Sequence, residues 1–400
     1  MTSTRAGWHL AIAGAAILAI TMGVRQSLGL FVSPINTATG LGLVSVSFAL
    51  AVGQFAWGAA QPVFGALADR AGSVTVMAIG AVMLAAGLAL VPFVDSGLGL
   101  TLALGVLAAA GAGAGSFSII MGAAANRLPP ERRAFASGFI NAGGSFGQFV
   151  FAPLSQALIA AWGWVVALWC LAAAALATIP LAWPFRERKG EAHARAAGPT
   201  LAAQLGEAFR DRSYLCLHAG FFTCGFHIAF LVTHLPGEVA VCGLPTAVSA
   251  TALAIIGLAN IAGSLGAGWL AQTHRMKWIL FWMYGSRALA VGAYLLAPKT
   301  ELTFLVFAVV LGLTWLATVP PTAGLVGKLF GTRHLATLFG LTLLTHQVGA
   351  FFGAWLGGIA FVSAGSYTAM WVADMVLAAA AALVNLPIRE APVARAAKPA

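Results

Sequence analysis

A chain of 400 residues with 60% hydrophobic and only 8% charged side chains cannot hide its apolar surface as a soluble globule. Lipid must be the solvent for most of it, so the sequence reads as an all-α polytopic membrane protein. The formal net charge of +10 invites a nucleic-acid reading, but the placement of the basic residues removes it.

Apolar runs long enough to cross a hydrocarbon core, roughly 20 residues each, recur twelve times. In the first half they fall at 7–32, 41–66, 74–94, 98–125, 134–160 and 164–184. In the second they fall at 213–236, 246–271, 278–297, 302–326, 335–362 and 367–387. With both termini on the inner side, 18 of the 21 Lys and Arg lie in inner segments, and Lys299 alone falls in an outer loop. That asymmetry is the positive-inside pattern, which sets both the orientation and an even number of spans.

Span 1 begins like a secretory signal peptide, with Arg5 ahead of an apolar stretch. Its apolar run continues to Val32, past the ~7 to 15 residues of a signal core, so the span is expected to be retained. Within it lies TMGVRQSLGLFVSP, residues 21–34, which places Arg25 inside the membrane. Counting back from Val32, Arg25 lies roughly 10 Å below the outer end of a core about 30 Å thick. A charge there costs about 2.5 to 3.5 kcal/mol on insertion scales, so something must compensate for it. The first half offers no Asp or Glu at that depth, since Asp69 and Asp95 sit at segment ends. Either Arg25 snorkels to water or headgroups, or a water-filled cavity solvates it until an anionic solute arrives. Guanidinium suits a carboxylate through two parallel hydrogen bonds, so the second reading predicts an anion selector.

Further along, Gln54 on span 2 and Asn141 with Gln148 on span 5 are polar candidates for a cavity. Polar groups also cement helix packing, so both roles stay open for each. The glycines of GAGAG, 111–115, and GGSFG, 143–147, allow close helix approach. They do not cradle phosphate, because no strand precedes them and no Lys follows. The segment 184–212 is the longest inner stretch and reads as a linker between units 1–183 and 213–400, with a short amphipathic helix near Leu201 to Arg210.

The second half repeats the first. At a shift of 202 residues TMGVRQSLGLFVSP lies over TCGFHIAFLVTHLP, matching Thr21 with Thr223, Gly23 with Gly225, Arg25 with His227 and Pro34 with Pro236. Gly138 and Gly147 fall on Gly340 and Gly349 at the same shift. Two pseudo-symmetric six-helix bundles are expected, with a solute site near mid-depth where they meet and Arg25 opposite His227. His227 can change its charge in the physiological pH range, though a packed, satisfied histidine is the competing reading. His234 lies one heptad later. Asn260 on span 8, Trp315 on span 10 and His346 with Gln347 on span 11 complete the cavity candidates. Cys170, Cys216, Cys224 and Cys242 show no C-x-x-C spacing and read as packed side chains, so neither metal nor cofactor is expected.

The loop after span 2 reads GALADRAGS, 65–73, and resembles the G-x-L-A-D-R-x-G signature of the major facilitator superfamily. With twelve spans, a long central loop and the half-repeat, the resemblance covers essentially the whole chain. It implies that Gly65, Asp69 and Arg70 help hold the inner ends of the halves together, the aspartate pairing locally or meeting a helix N-terminus. Ser73 and Val74 stand where the family commonly carries further bases. At finer grain, GVRQSLGLFVSPI, WGAAQPVFGALADR and GFHIAFLVTHLP resemble bacterial members of the monocarboxylate and oxalate:formate antiporter branch. That branch implies small organic anions moved with a proton or in exchange. Its architecture puts spans 9 and 12 at the periphery. Arg287 and Asp374 sit there at nearly equal depths and are therefore expected to form a structural ion pair.

The sequence thus predicts a monomeric secondary transporter in a bacterial inner membrane. It would move a small organic anion, a mono- or dicarboxylate, by alternating access, with proton coupling or exchange. Arg25 would take the carboxylate and His227 would supply a second polar or proton-linked contact. An exporter of amphipathic or drug-like compounds is the runner-up, although its coupling carboxylate would have to be Asp374. A transport-inactive sensor or scaffold is a third reading. No H-E-x-x-H or G-x-S-x-G pattern in suitable context points to an enzyme.

Overall fold

A computed structural model describes residues 2–186 and 199–392 of the chain. Lipid offers no partner for a free N–H or C=O, so the spanning segments satisfy their backbones internally as helices. Among the described residues there is no strand. Nine described segments are long and apolar enough to cross a membrane, and one of them, Pro130–Phe185, supplies two passes. There the chain turns at Gly163, whose φ of 80° only a residue without a Cβ adopts freely, and span 5 gives way to span 6. Leu43–Ala71 and a span broken into Glu301–Gly312 and Val319–Phe330 bring the passes to twelve.

The remaining spans follow the sequence closely. Span 1 is Thr2–Ser27, prolonged by a 3-10 turn and by Val32–Thr39, and so runs past the end expected at Val32. Spans 3 and 4 are Ser73–Phe93 and Gly97–Ala125. Spans 7, 8 and 9 are Arg212–Val241, Thr246–Thr273 and Met276–Leu296. Spans 11 and 12 are Leu335–Ala364 and Thr368–Asn385. In the linker, residues 187–198 lie outside the described residues; beyond them Leu201–Ala208 forms a helix whose Gln204 donates to the carbonyl of Phe330 at 2.6 Å.

Glycine decides which spans touch. Span 1 packs along span 5 and span 7 along span 11, the equivalent pair in the second half. A Cβ at Gly147 would run into the carbonyl of Ala19, and one at Gly349 into that of Phe222. The two glycines repeated at a shift of 202 therefore serve the same close crossing in each half.

Spans 4 and 10, also equivalent, are both interrupted near their middles, which the apolar runs did not reveal. Span 4 breaks at Gly115 and Ser116, where Thr21 donates its hydroxyl to the Gly115 carbonyl at 2.9 Å. Span 10 opens over residues 313–318 ahead of Pro320 and Pro321, which have no N–H to give and start the next helix without loss. The freed backbone of Leu316 is met from both sides. Asn260 accepts from its N–H at 2.8 Å, and Asn141 donates to its carbonyl at 2.9 Å.

The halves meet along two seams. Between spans 5 and 8, Asn141 donates to Ser264 at 2.7 Å and Asn260 donates to Ser145 at 2.5 Å, a reciprocal pair built from NAGGS and NIAGS. Nearer the end that carries the loop after span 2, a Cβ on Gly138 would lie 2.8 Å from the Cα of Gly268. Between spans 2 and 11, a Cβ on Gly65 would lie 2.7 Å from the carbonyl of Ala336. Backbone thus meets backbone on both seams at that end, called the basic end below.

Candidate functional site

Arg25 occupies the last turn of the first helix and is half-buried. It donates to Gln54 Oε1 on span 2, and its guanidinium carbon lies 4.3 Å from the centre of the Trp57 ring, one turn further along the same helix. Among the described residues no carboxylate comes within ion-pairing distance of it. A cation over an aromatic face is stabilised by the ring quadrupole without being neutralised, so Arg25 keeps its charge for a further partner.

The surroundings of Arg25 reach across both halves. The Gln54 carbonyl accepts from Gln347 Nε2 of span 11 at 3.0 Å, and Gln347 Oε1 accepts from His346 at 3.0 Å. The expected cavity residues Gln54 and Gln347 are thereby brought together with Arg25. Trp57, which sequence reasoning passed over, completes the group; its indole N–H is buried and without a partner. Its spacing of three from Gln54 was the available signal, since residues one turn apart share a helix face.

Other candidates are engaged elsewhere. Thr21 is committed to the break in span 4, and Thr223 donates to the Ala219 carbonyl of its own helix at 3.3 Å. Asn141 and Asn260 join the halves and hold the opened backbone of span 10. Trp315 is nearly buried and presents its ring edge-on to His227, with centroids 6.0 Å apart.

The second half departs from expectation in its charges. Arg287 and Asp374 were expected to pair, and they do not. Asp374 Oδ2 instead accepts from His227 Nδ1 at 2.5 Å, with both side chains almost wholly buried. Arg287 turns to span 10, where it donates to the carbonyls of Thr314 and Trp315 and to the Thr314 hydroxyl, and it also donates to Cys224 Sγ of span 7. The reason lies in the broken span: opening residues 313–318 frees carbonyls that need donors, and a guanidinium carries five in a rigid fork. Asp374 is left for His227, which is drawn into its own half and away from the expected position opposite Arg25.

At the basic end Asp69 accepts from the Thr337 hydroxyl at 2.6 Å and from the Thr337 N–H at 3.3 Å. Thr337 lies in the first turn of span 11, so the carboxylate also faces the positive end of a helix dipole. His334 Nδ1 stands 3.9 Å from the same carboxylate. Arg70 is exposed in the last turn of span 2, where a cation suits the helix C-terminus.

Comparison with known proteins accords with this geometry. A family model described as Major Facilitator Superfamily matches residues 10–354. The chain is 25% identical over 392 residues to monocarboxylate transporter 13 of Rattus norvegicus, covering 95% of this chain and 89% of that protein. It is 29% identical over 390 residues to monocarboxylate transporter 11 of Mus musculus, covering 92% and 83%. To the oxalate:formate antiporter of Oxalobacter formigenes it is 24% identical over 388 residues, covering 95% and 91%. Among solved structures, the proton:xylose symporter XylE matches with a TM-score of 0.77 at 14% identity over 97% of each chain. The fucose:proton symporter FucP of E. coli matches with a TM-score of 0.74, also at 14% identity, over 93% of this chain and 97% of its own. At such identity the structural likeness speaks for the fold alone.

Proposed function

The chain belongs to the major facilitator superfamily of transporters, and from that premise we propose that its cargo is a small organic anion, a mono- or dicarboxylate, recognised by Arg25. One observation carries the reading: an intramembrane guanidinium held by a glutamine and an indole ring, with no carboxylate to neutralise it among the described residues. The names of the relatives, monocarboxylate transporters and an oxalate:formate antiporter, agree with an anion of this class.

Empty, the site holds an unpaired cation, and enclosing it away from water on both sides is costly. A carboxylate bound through two parallel hydrogen bonds turns Arg25 into a neutral pair, which lowers the cost of closing the protein around it. Cargo therefore favours the occluded form through its differential affinity for the two conformations. For the site to open toward the basic end, the Asp69 to Thr337 latch must part and the glycine crossings at Gly65 and Gly138 must separate. Gln54 and Gln347, bonded across the halves at the level of Arg25, report the loaded state to both. The distribution of Lys and Arg supports cytoplasmic termini in a bacterial inner membrane, and a monomer is sufficient for this cycle.

The test is uptake into liposomes of a panel of labelled mono- and dicarboxylates by the wild type and by Arg25→Ala. Saturable uptake that the substitution abolishes is expected, with the variant still folded by its melting curve. Undiminished uptake by the variant removes Arg25 from recognition. Inhibition by cationic amphiphiles alone points to the exporter reading instead.

A further inference from the structure

We propose that His227 and Asp374 form a proton-binding site of the second half, separate from the anion site at Arg25, and that this pair couples transport to proton movement. The proposal rests on the anion-carrier reading above and deepens it: His227, expected beside Arg25, is seated against Asp374 instead.

The geometry argues against a purely structural pair. His227 Nδ1 lies 2.5 Å from Asp374 Oδ2, while the second nitrogen of the ring and the second oxygen of the carboxylate are both buried without a hydrogen-bond partner. With Nδ1 carrying the bonded proton, the two orphaned atoms are both acceptors. A buried pair left with an unused acceptor on each member has room for one more proton.

The groups around the pair leave the proton no better place. On span 7 stands Cys224, whose sulfur receives Arg287 from span 9 at 3.4 Å. Tyr284, also on span 9, lies under the Arg287 guanidinium, 5.3 Å from it. His346 of span 11 bonds to Gln347 at 3.0 Å. Span 10 faces His227 with the uncharged ring of Trp315, and span 12 brings no titratable group other than Asp374. Arg287 spends four of its five donors on span 10 and Cys224 and makes no bond to Asp374. The cluster thus holds one guanidinium and one carboxylate, and of its two histidines only His227 is bonded to that carboxylate.

The step is a simple transfer. A proton from water on one side of the membrane attaches to the free ring nitrogen of His227, giving an imidazolium beside a carboxylate. It leaves to water on the other side when the halves have rocked, and no other bond is made or broken. A proton on His227 and an anion on Arg25 attract each other, so each raises the affinity for the other by the same factor.

The experiment uses full-length protein in liposomes that enclose a pH-sensitive dye, with labelled formate, acetate, lactate and oxalate as probes. The wild type is expected to acidify the lumen as the anion enters and to accumulate the anion along an inward proton gradient. His227→Gln and Asp374→Asn should each lower that accumulation by about tenfold or more while keeping anion counterflow, which needs no net proton movement, within about threefold. Asp374→Glu, which keeps the acid, should restore accumulation with a displaced pH profile. Net anion entry into wild-type liposomes without acidification of the lumen overturns the proposal and leaves the anion carrier standing. Absence of counterflow for every probe in the wild type removes the carrier reading itself. Gradient-driven accumulation that survives in either variant also overturns the proposal, as does loss of counterflow together with accumulation in both.

Discussion

Asp69, at the end of span 2, holds Thr337, at the start of span 11, through both the hydroxyl and the backbone N–H, so that one carboxylate spans the two halves of the transporter. The contact lies at the end where glycine crossings on both seams bring the halves backbone to backbone. Latch and crossings hold the same closure, one by charge and the other by shape.

Removing the latch should shift the conformational balance toward opening at the basic end. Hydrogen bonds to a charged group contribute about 1.5 to 3 kcal/mol, so Asp69→Asn or Thr337→Val should raise the open population by roughly tenfold or more. The check is the rate at which a cysteine in place of Ala336, buried at the same crossing, reacts with a small maleimide, expected to rise in both latch variants.

Filling a crossing should act in the same direction but through sterics. A Cβ at Gly138 would meet the Ser264 carbonyl at 2.5 Å and the Cα of Gly268 at 2.8 Å. Overpacking of this kind costs about 1 to 3 kcal/mol. Gly138→Val is therefore expected to slow transport severely with only a modest fall in melting temperature. Gly206, with open space around its Cβ position, is the control, and Gly206→Ala should leave transport unchanged without lowering the melting temperature.

The pairing of charges in the second half is open to a double-mutant cycle. His227 and Asp374 touch, so their stability effects should be strongly non-additive. Arg287 and Asp374 do not pair, and Arg287→Ala should instead leave the Thr314 carbonyl without a donor, at about 1 to 3 kcal/mol, and the Trp315 carbonyl with only the Cys224 thiol. Chemical denaturation of the three single and two double variants in detergent measures both couplings. A larger coupling between Arg287 and Asp374 than between His227 and Asp374 contradicts the arrangement described.

Recognition at Arg25 should depend on its support. Trp57→Leu removes a cation to ring contact that contributes about 0.5 to 2 kcal/mol, and is expected to raise the half-saturation concentration several-fold without abolishing transport. Arg25→Lys keeps the charge but loses the planar fork, and should recover only a small part of wild-type uptake. Initial rates across substrate concentration separate the two outcomes.

Much of this architecture was legible before any coordinates. Twelve passes, the basic end and the half-repeat follow from hydrophobic length, charge asymmetry and self-similarity, because lipid punishes any exposed backbone and leaves few alternatives. Arg25 was legible as well, since a lone charge in an apolar run is conspicuous in one dimension. The breaks in spans 4 and 10 were not, because hydropathy averages over them; Gly115 with Ser116 and Pro320 with Pro321 were the local signals.

From those breaks follows what the tertiary structure alone decided. Arg287 and Asp374 look like partners when depth is the only coordinate available, but side chains choose by direction and by the donors and acceptors near them. Carbonyls freed in span 10 claimed the guanidinium, and Asp374 was left to His227. Sequence settles which residues lie in the membrane and at what level, a one-dimensional matter of transfer free energy. Which of them meet is settled by rotation about each helix axis and by local unwinding, neither of which hydropathy records.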